Sequence, residues 1–169
     1  MMRKIPIFTF TYMLSCPTIS YAHDNDLCRP DEAIIANCEV INSKKIASIC
    51  GQKQRDTISY RFGTRSRTEL ERTFTRNNPL YRWKDATTYT TYFGFRISDY
   101  AYVIGVPEER NLATAFVYIE KKDLEIASIH CAKNSFGEKD FQSNMINDRS
   151  DDEVRKNHFI FPPRRLPPP

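Results

Sequence analysis

Short β-forming runs alternate with polar turns over most of this chain. The clearest run is Thr57–Phe62, in which apolar and polar side chains alternate strictly, as they do on a half-buried strand. Similar runs recur at spacings of about 8–14 residues, with turn-forming residues between them. No amphipathic period of a long helix competes with this pattern. It predicts an all-β domain, an antiparallel meander of about eight strands that forms either a sandwich or a small barrel.

The predicted strands are rich in β-branched and aromatic residues. They cover approximately residues 34–40, 46–50, 57–62, 68–74, 86–98, 99–106, 112–120 and 124–131. The first of them could also begin as a short helix, but its β-branched composition favours a strand. Gly94 marks an expected bulge. Residues 76–85 are rich in turn formers and predict a loop that carries Trp83, the only tryptophan.

The first residues of the chain have the features of a secretory signal peptide. Arg3 and Lys4 precede an apolar run over residues 5–14, and residues 20–22 fit the small-x-small rule for signal peptidase. The apolar run is too short for a membrane span, which needs about 20 residues. We therefore predict cleavage after Ala22, a periplasmic or secreted location, and no transmembrane segment in the mature chain.

Cleavage after residues 1–22 leaves a chain of the size of one domain. We assign the β domain to residues 23–133 and a polar extension, partly docked on it, to residues 134–161. Within the extension, residues 148–156 predict one or two helical turns, and Phe159–Phe161 a short docking strand. Residues 162–169 are rich in proline and predict a disordered, polyproline-like tail.

The mature chain keeps four cysteines, which are Cys28, Cys38, Cys50 and Cys131. An even number behind a secretion signal predicts two disulfides, because exported proteins fold in an oxidising compartment. A hairpin of the first two strands would bring Cys38 close to Cys50. The other scheme that we consider pairs Cys28 with Cys38 and Cys50 with Cys131. The sequence contains no CxxC pair and no cysteine–histidine cluster at the spacing of metal ligands, so no metal site is expected.

Charge is distributed unevenly along the chain. Residues 53–84 carry nine basic and three acidic residues, whereas residues 85–153 carry seven basic and thirteen acidic ones. Loss of Arg3 and Lys4 with the signal lowers the formal net charge from +4 to +2, which is too weak to suggest a nucleic-acid partner.

Arginine and aromatic residues interleave in the basic third of the chain, and these residue types dominate protein interfaces. We predict that they form a basic-aromatic binding face made of Arg61, Arg65, Arg67, Arg72, Arg76, Arg82 and Trp83. Its expected partner is an acidic protein or an anionic component of the cell envelope.

The sequence carries no motif of a common catalytic class, such as a P-loop, GxGxxG or HExxH. His130 could act as a general base, but no serine elbow or reactive thiol accompanies it. We therefore expect a non-catalytic binding protein without a cofactor. An envelope hydrolase with a site near His130 and a structural envelope protein are the alternatives.

One series of residues carries a resemblance to other proteins: Cys28, Cys38, Cys50, the segment Tyr60-Arg61-Phe62-Gly63, and Cys131. This series resembles small exported proteins of Gram-negative bacteria over roughly residues 23–133. No activity is established for that group, so the resemblance implies export and a β domain only. In size, address and β content the chain is also similar to periplasmic lysozyme inhibitors and to immunity proteins against cell-wall-degrading toxins. That similarity implies an inhibitor or immunity-type role but assigns no residues.

Overall fold

The computed structural model describes residues 25–164, in which ten strands form two sheets and one short α-helix follows them. The first sheet is an antiparallel meander of β1 (Ala33–Glu39), β2 (Ile46–Gln52), β3 (Thr57–Thr64) and β4 (Arg67–Thr73). The predicted signal peptide and residues 165–169 of the proline-rich tail lie outside the described residues. Within residues 25–164, no helix is long and apolar enough to cross a membrane.

The second sheet has six strands in the order β10-β5-β6-β7-β8-β9. They are β5 (Leu80–Asp85), β6 (Thr90–Ile97), β7 (Tyr100–Pro107), β8 (Phe116–Lys121), β9 (Leu124–His130) and β10 (Ile146–Arg149). Neighbouring strands are antiparallel except for β10, which runs parallel to β5. Helix α1 (Asp151–Lys156) comes directly after β10.

The two sheets pack face to face around one core. Tyr60 of β3 and Phe74 after β4 both contact Phe95 of β6, with ring centroids 4.8 and 5.3 Å apart. Fully buried residues from both sheets belong to the same cluster, among them Ile35, Ile49, Ile58, Leu80, Phe93, Ile104 and Val106. The all-β, antiparallel, disulfide-bonded fold predicted from the sequence is confirmed, and its form is a sandwich.

The disulfides join Cys28 to Cys50 and Cys38 to Cys131. Both pairing schemes considered from the sequence are wrong. The β1–β2 register places Cys38 opposite Ala47, and the side chain three residues further along β2, Cys50, points to the other face. Cys38 therefore faces the core and reaches Cys131, whereas Cys50 faces outward and holds Cys28.

Strand β5 lies in the segment that the sequence predicts to be a loop. Its inward positions are Leu80 and Arg82, and its outward positions are Tyr81 and Trp83. An arginine at an inward position hides the alternation, because a charged residue is rarely buried without a partner.

Other strand boundaries also differ from the prediction. The long predicted strand begins only at Thr90, and β8 begins at Phe116 instead of Leu112. Gly94 is not a bulge: its register with β5 and β7 is regular. A glycine fits there because a Cβ would lie 2.9 Å from the ring of Phe161.

The C-terminal part of the described chain adds β10 and α1 to the sandwich. The predicted helical turns are confirmed, and α1 begins with a capping box in which Ser150 and Glu153 each accept a hydrogen bond from the other's backbone N–H. The docking strand predicted at residues 159–161 does not form. Phe161 is buried instead against Trp83, on the outer face of the second sheet, and the buried Pro162 accepts a hydrogen bond from Arg96.

Arg82 holds this C-terminal part against β5. Only 3% of it is exposed. Its guanidinium donates to both carboxylate oxygens of Asp148 on β10 and, through Nη1, to the carbonyl oxygens of Lys139 and Phe141 at 3.0 and 2.9 Å. A planar fork of five donors suits such a buried cluster of acceptors. Arg82 is therefore a structural residue and does not belong to an exposed binding face.

We predict that Arg82→Met lowers the free energy of unfolding by about 3 kcal/mol, because it leaves buried carbonyl groups without donors. The matched control, Arg76→Met, changes an exposed arginine and should stay within about 0.5 kcal/mol of the wild type. Urea unfolding followed by tryptophan fluorescence measures both. Equal losses in the two variants would contradict this role for Arg82.

The two disulfides close loops of very different length, with sequence separations of 22 for Cys28–Cys50 and 93 for Cys38–Cys131. Chain entropy predicts a loss of about 4.7 kcal/mol for Cys38→Ala with Cys131→Ala, and of about 3.4 kcal/mol for Cys28→Ala with Cys50→Ala. Urea unfolding of the two double variants checks the order, and peptide mapping without reduction checks the pairing. The chain-entropy explanation is wrong if removal of Cys28–Cys50 lowers the free energy of unfolding more than removal of Cys38–Cys131 does.

Candidate functional site

The seven residues of the predicted basic-aromatic face do not form one surface. Three of them are buried, with 4%, 3% and 5% exposure for Arg61, Arg82 and Trp83. Trp83 lies on the outer face of β5, where it donates from Nε1 to Asp151 at 3.0 Å and stacks on Tyr92. The remaining four are more accessible: Arg65, Arg67 and Arg76 are exposed, and Arg72 is half-buried.

Arg61 lies on the outer face of β3, beneath residues 25–32. Its Nη1 and Nη2 donate to the two carboxylate oxygens of Glu32 at 2.6 and 2.9 Å, and its Nε donates to Glu71 at 3.0 Å. The Cys28–Cys50 disulfide holds the same segment to β2. The alternation of β3 placed Arg61 on the polar face correctly, but it could not show that another part of the chain covers that face.

This cover stabilises the ionised form of Glu32. Burial opposes ionisation, but hydrogen bonds from the Arg61 side chain and the Arg29 backbone outweigh it, so the pKa of Glu32 lies below its ordinary value. Glu32 and Arg61 together therefore act as a clamp that closes the outer face of the first sheet.

A cavity of about 710 Å³ lies at one end of the sandwich. Its lining joins β4, the end of β6, the β6–β7 and β8–β9 turns, and the last described residue. The lining residues are Arg72, Arg96, Ile97, Ser98, Asp99, Lys122, Asp123 and Arg164. The site thus combines four cationic side chains with two carboxylates, and they come from both sheets.

Part of this charge is neutralised within the cavity. Asp123 accepts a hydrogen bond from Arg96 at 2.7 Å and forms an ion pair with Arg164. Burial opposes its ionisation, but these two arginines outweigh burial and hold the pKa of Asp123 below its usual range. The pKa of the neighbouring Glu120 is raised, chiefly because of burial. The carboxylate at position 123 is therefore already occupied by the protein's own cations.

Arg72 is different, because its charge is not compensated. Its Nε is buried and has no hydrogen-bond partner among residues 25–164, and no described carboxylate forms an ion pair with it. Lys122, across the cavity, likewise forms no ion pair within the described part of the chain. A buried polar group without a partner is uncommon and costly, so Arg72 is a candidate for pairing with an acceptor of another molecule. Guanidinium suits a carboxylate or a phosphate.

Sequence reasoning identified Arg72 but missed the other residues of the cavity. The lining comes from parts of the chain that lie far apart in sequence, and only the fold brings them together: Arg72, Arg96, the adjacent Lys122 and Asp123, and Arg164. The two consecutive lysines of the turn at residues 121–123 are a local signal in the sequence that points to this cavity.

His130 is exposed at the end of β9, opposite Phe116. Within residues 25–164, its side chain has no hydrogen bond to a carboxylate or a hydroxyl group that would orient it as a general base.

One group of three potential metal ligands occurs in the described chain: Cys28, Glu32 and Cys50. Its two sulfurs are bonded to each other, whereas the thiolate is the form that binds metal.

No family model, no curated protein and no solved structure matches this chain. Function is therefore inferred from the chemistry of the cavity itself. The two disulfides are compatible with an extracytoplasmic compartment, where thiols are oxidised.

The Glu32–Arg61 clamp predicts a specific dependence of stability on pH. Because the pKa of Glu32 is lowered on folding, its ionised form stabilises the protein above the ordinary pKa of about 4.3, and this contribution is lost as pH falls through the lowered folded pKa. We expect Glu32→Gln to lose about 2 kcal/mol at pH 6. Urea unfolding should show that the free energies of unfolding of the wild type and Glu32→Gln differ less at pH 3 than at pH 6. A difference that stays constant from pH 6 to pH 3 would exclude this assignment.

Proposed function

We propose that the protein is an exported, non-catalytic binding protein and that the cavity around Arg72 receives an acidic group of its partner. The observation that supports this is the buried Nε of Arg72, which has no acceptor among residues 25–164. An acidic partner would supply that acceptor, and its charge would be matched by Arg72 and Lys122 together. The partner is an acidic protein or an anionic component of the envelope.

The composition of the cavity favours binding over catalysis. Cleavage of a bond by a nucleophile requires a base within hydrogen-bonding reach of it. The lining offers Ser98 as a hydroxyl group and has no histidine or cysteine, and of its two aspartates Asp123 is paired with Arg96 and Arg164. Cations that converge on a cleft raise the local concentration of anions and steer their approach.

Export is supported by the features of the first residues and by the two disulfides. A periplasmic or secreted binding protein of this size is consistent with the inhibitor and immunity-type proteins that the chain resembles. In that role, Arg72 would engage a carboxylate on the target protein.

The test uses fluorescent poly-glutamate as the probe and compares two charge reversals. Arg72→Glu should weaken binding about tenfold or more, because it places a like charge at the site of the acidic group. Arg76→Glu makes the same change of net charge at an exposed arginine that does not line the cavity, and it should weaken binding no more than about twofold.

Two further measurements complete this test. Binding of the wild type should weaken as salt is raised, since the interaction is electrostatic. The NMR signal of the Arg72 Nε–Hε group should shift on titration with the probe. Equal effects of Arg72→Glu and Arg76→Glu, or an unmoved Arg72 signal, would show that the cavity is not the site.

A further inference from the structure

We infer that the acidic partner binds as an extended segment that adds a strand to the free edge of β4. This inference rests on the proposed function of Arg72, which lies on that strand. β4 is the last strand of its sheet. Among residues 25–164, no backbone hydrogen bond joins its outer edge to another segment. Addition of a strand to such an edge is a common way to bind an extended peptide.

The opposite edge of the same sheet is closed. Ala132 donates its backbone N–H to Glu39 of β1, and Glu138 donates to Ile34, both at 2.8 Å. Asn37 donates its backbone N–H to the hydroxyl group of Ser135 at 2.9 Å. The protein therefore covers β1 with its own chain and leaves the edge of β4 open.

The register identifies the backbone groups that β4 offers. Phe74, directly after β4, donates its N–H to the carbonyl of Ile58 at 2.9 Å. Because an antiparallel strand directs its backbone groups to its two sides alternately, those of Arg72 point toward β3. Those of Glu71 and Thr73 point to the free edge, where an added strand would pair with them.

The charges on β4 select an acidic segment. Glu69 is paired with Lys45 at 2.9 Å, and Glu71 with Arg61 at 3.0 Å. Arg67 and Arg72 form no ion pair with the described residues. The uncompensated charge of this strand is therefore positive, although its sequence contains as many acidic as basic residues.

Strand geometry then places the acidic side chains. Alternate residues of an added strand point to one face of the sheet, so every second side chain would lie on the face of Arg72 and of the cavity. A carboxylate at such a position would meet Arg72. The expected partner is thus a protein segment with acidic residues at alternate positions.

The probe for this inference is a fluorescein-labelled peptide of alternating Thr and Glu, about eight residues long. The control probe alternates Thr and Lys. Thr73→Pro removes an outward N–H of β4 and places the proline ring at the free edge, where proline is tolerated because its nitrogen faces solvent. Thr73→Pro should weaken binding of the Thr/Glu peptide about tenfold or more, measured by fluorescence anisotropy. Thr73→Ala should stay within about twofold of the wild type.

A second probe keeps the test valid if Thr73→Pro disturbs folding. It is the same Thr/Glu peptide with methylated backbone nitrogens at every second residue. Two such peptides are made, one methylated at the odd positions and the other at the even positions. Both peptides keep their charge, but the peptide that has lost the N–H groups facing β4 cannot pair with β4 as a strand. We expect one of the two methylated peptides to bind the wild-type protein about tenfold more weakly than the unmethylated peptide does.

The outcomes separate this inference from the proposed function. If Arg72→Glu abolishes binding whereas Thr73→Pro and both methylated peptides bind like their parents, strand addition is wrong and the anion site remains. If inorganic phosphate shifts the Arg72 Nε–Hε signal but the Thr/Glu peptide does not bind, the site takes small anions or phosphate groups, and the inference is wrong. If neither probe depends on Arg72, both proposals are wrong. A dimer that forms through β4 and excludes the peptide would also overturn the inference.

Discussion

The contact of Tyr60 with Phe95 fixes the two sheets against each other, and the cavity depends on it. Tyr60 is the register partner of Arg72 on β4, and Phe95 directly precedes Arg96 on β6. The same aromatic packing that excludes water from the core therefore brings the cationic residues of two separate sheets to one end of the sandwich. The cavity at this end therefore combines Arg72 of the first sheet with Arg96 and Lys122 of the second.

Two buried arginines each hold a separate segment of the chain against the sandwich. Arg61 holds residues 25–32 over the outer face of the first sheet, and Arg82 holds β10 and the residues before it beside β5. Each guanidinium is satisfied by acceptors from segments distant in sequence. Arg72 has the same residue type in a partly buried place but lacks acceptors in residues 25–164, and this contrast is the reason that we propose it, and not the other two, as a binding group.

Local patterns predicted what local physics determines. The alternation of Thr57–Phe62 identified β3, and residues 148–156 predicted the helical turns that α1 forms. Arg82 broke the pattern of β5, because its acceptors on β10 could not be seen from the sequence. The disulfide error has the same origin: a hairpin brings two strands together, but only the register decides that Cys38 and Cys50 face opposite sides. The cavity was beyond reach for a further reason, since its residues share no local period.

The disulfide between Cys28 and Cys50 determines under which conditions residues 25–32 are held over the outer face of the first sheet. It anchors residues 25–32 over the sheet, so in a reducing compartment that cover would be held by the guanidinium of Arg61 and a few hydrogen bonds alone. Without that disulfide, residues 25–32 would be a loosely held segment that is open to proteases. Its oxidation would close this segment over the sheet, so the finished outer surface would exist only where thiols are oxidised.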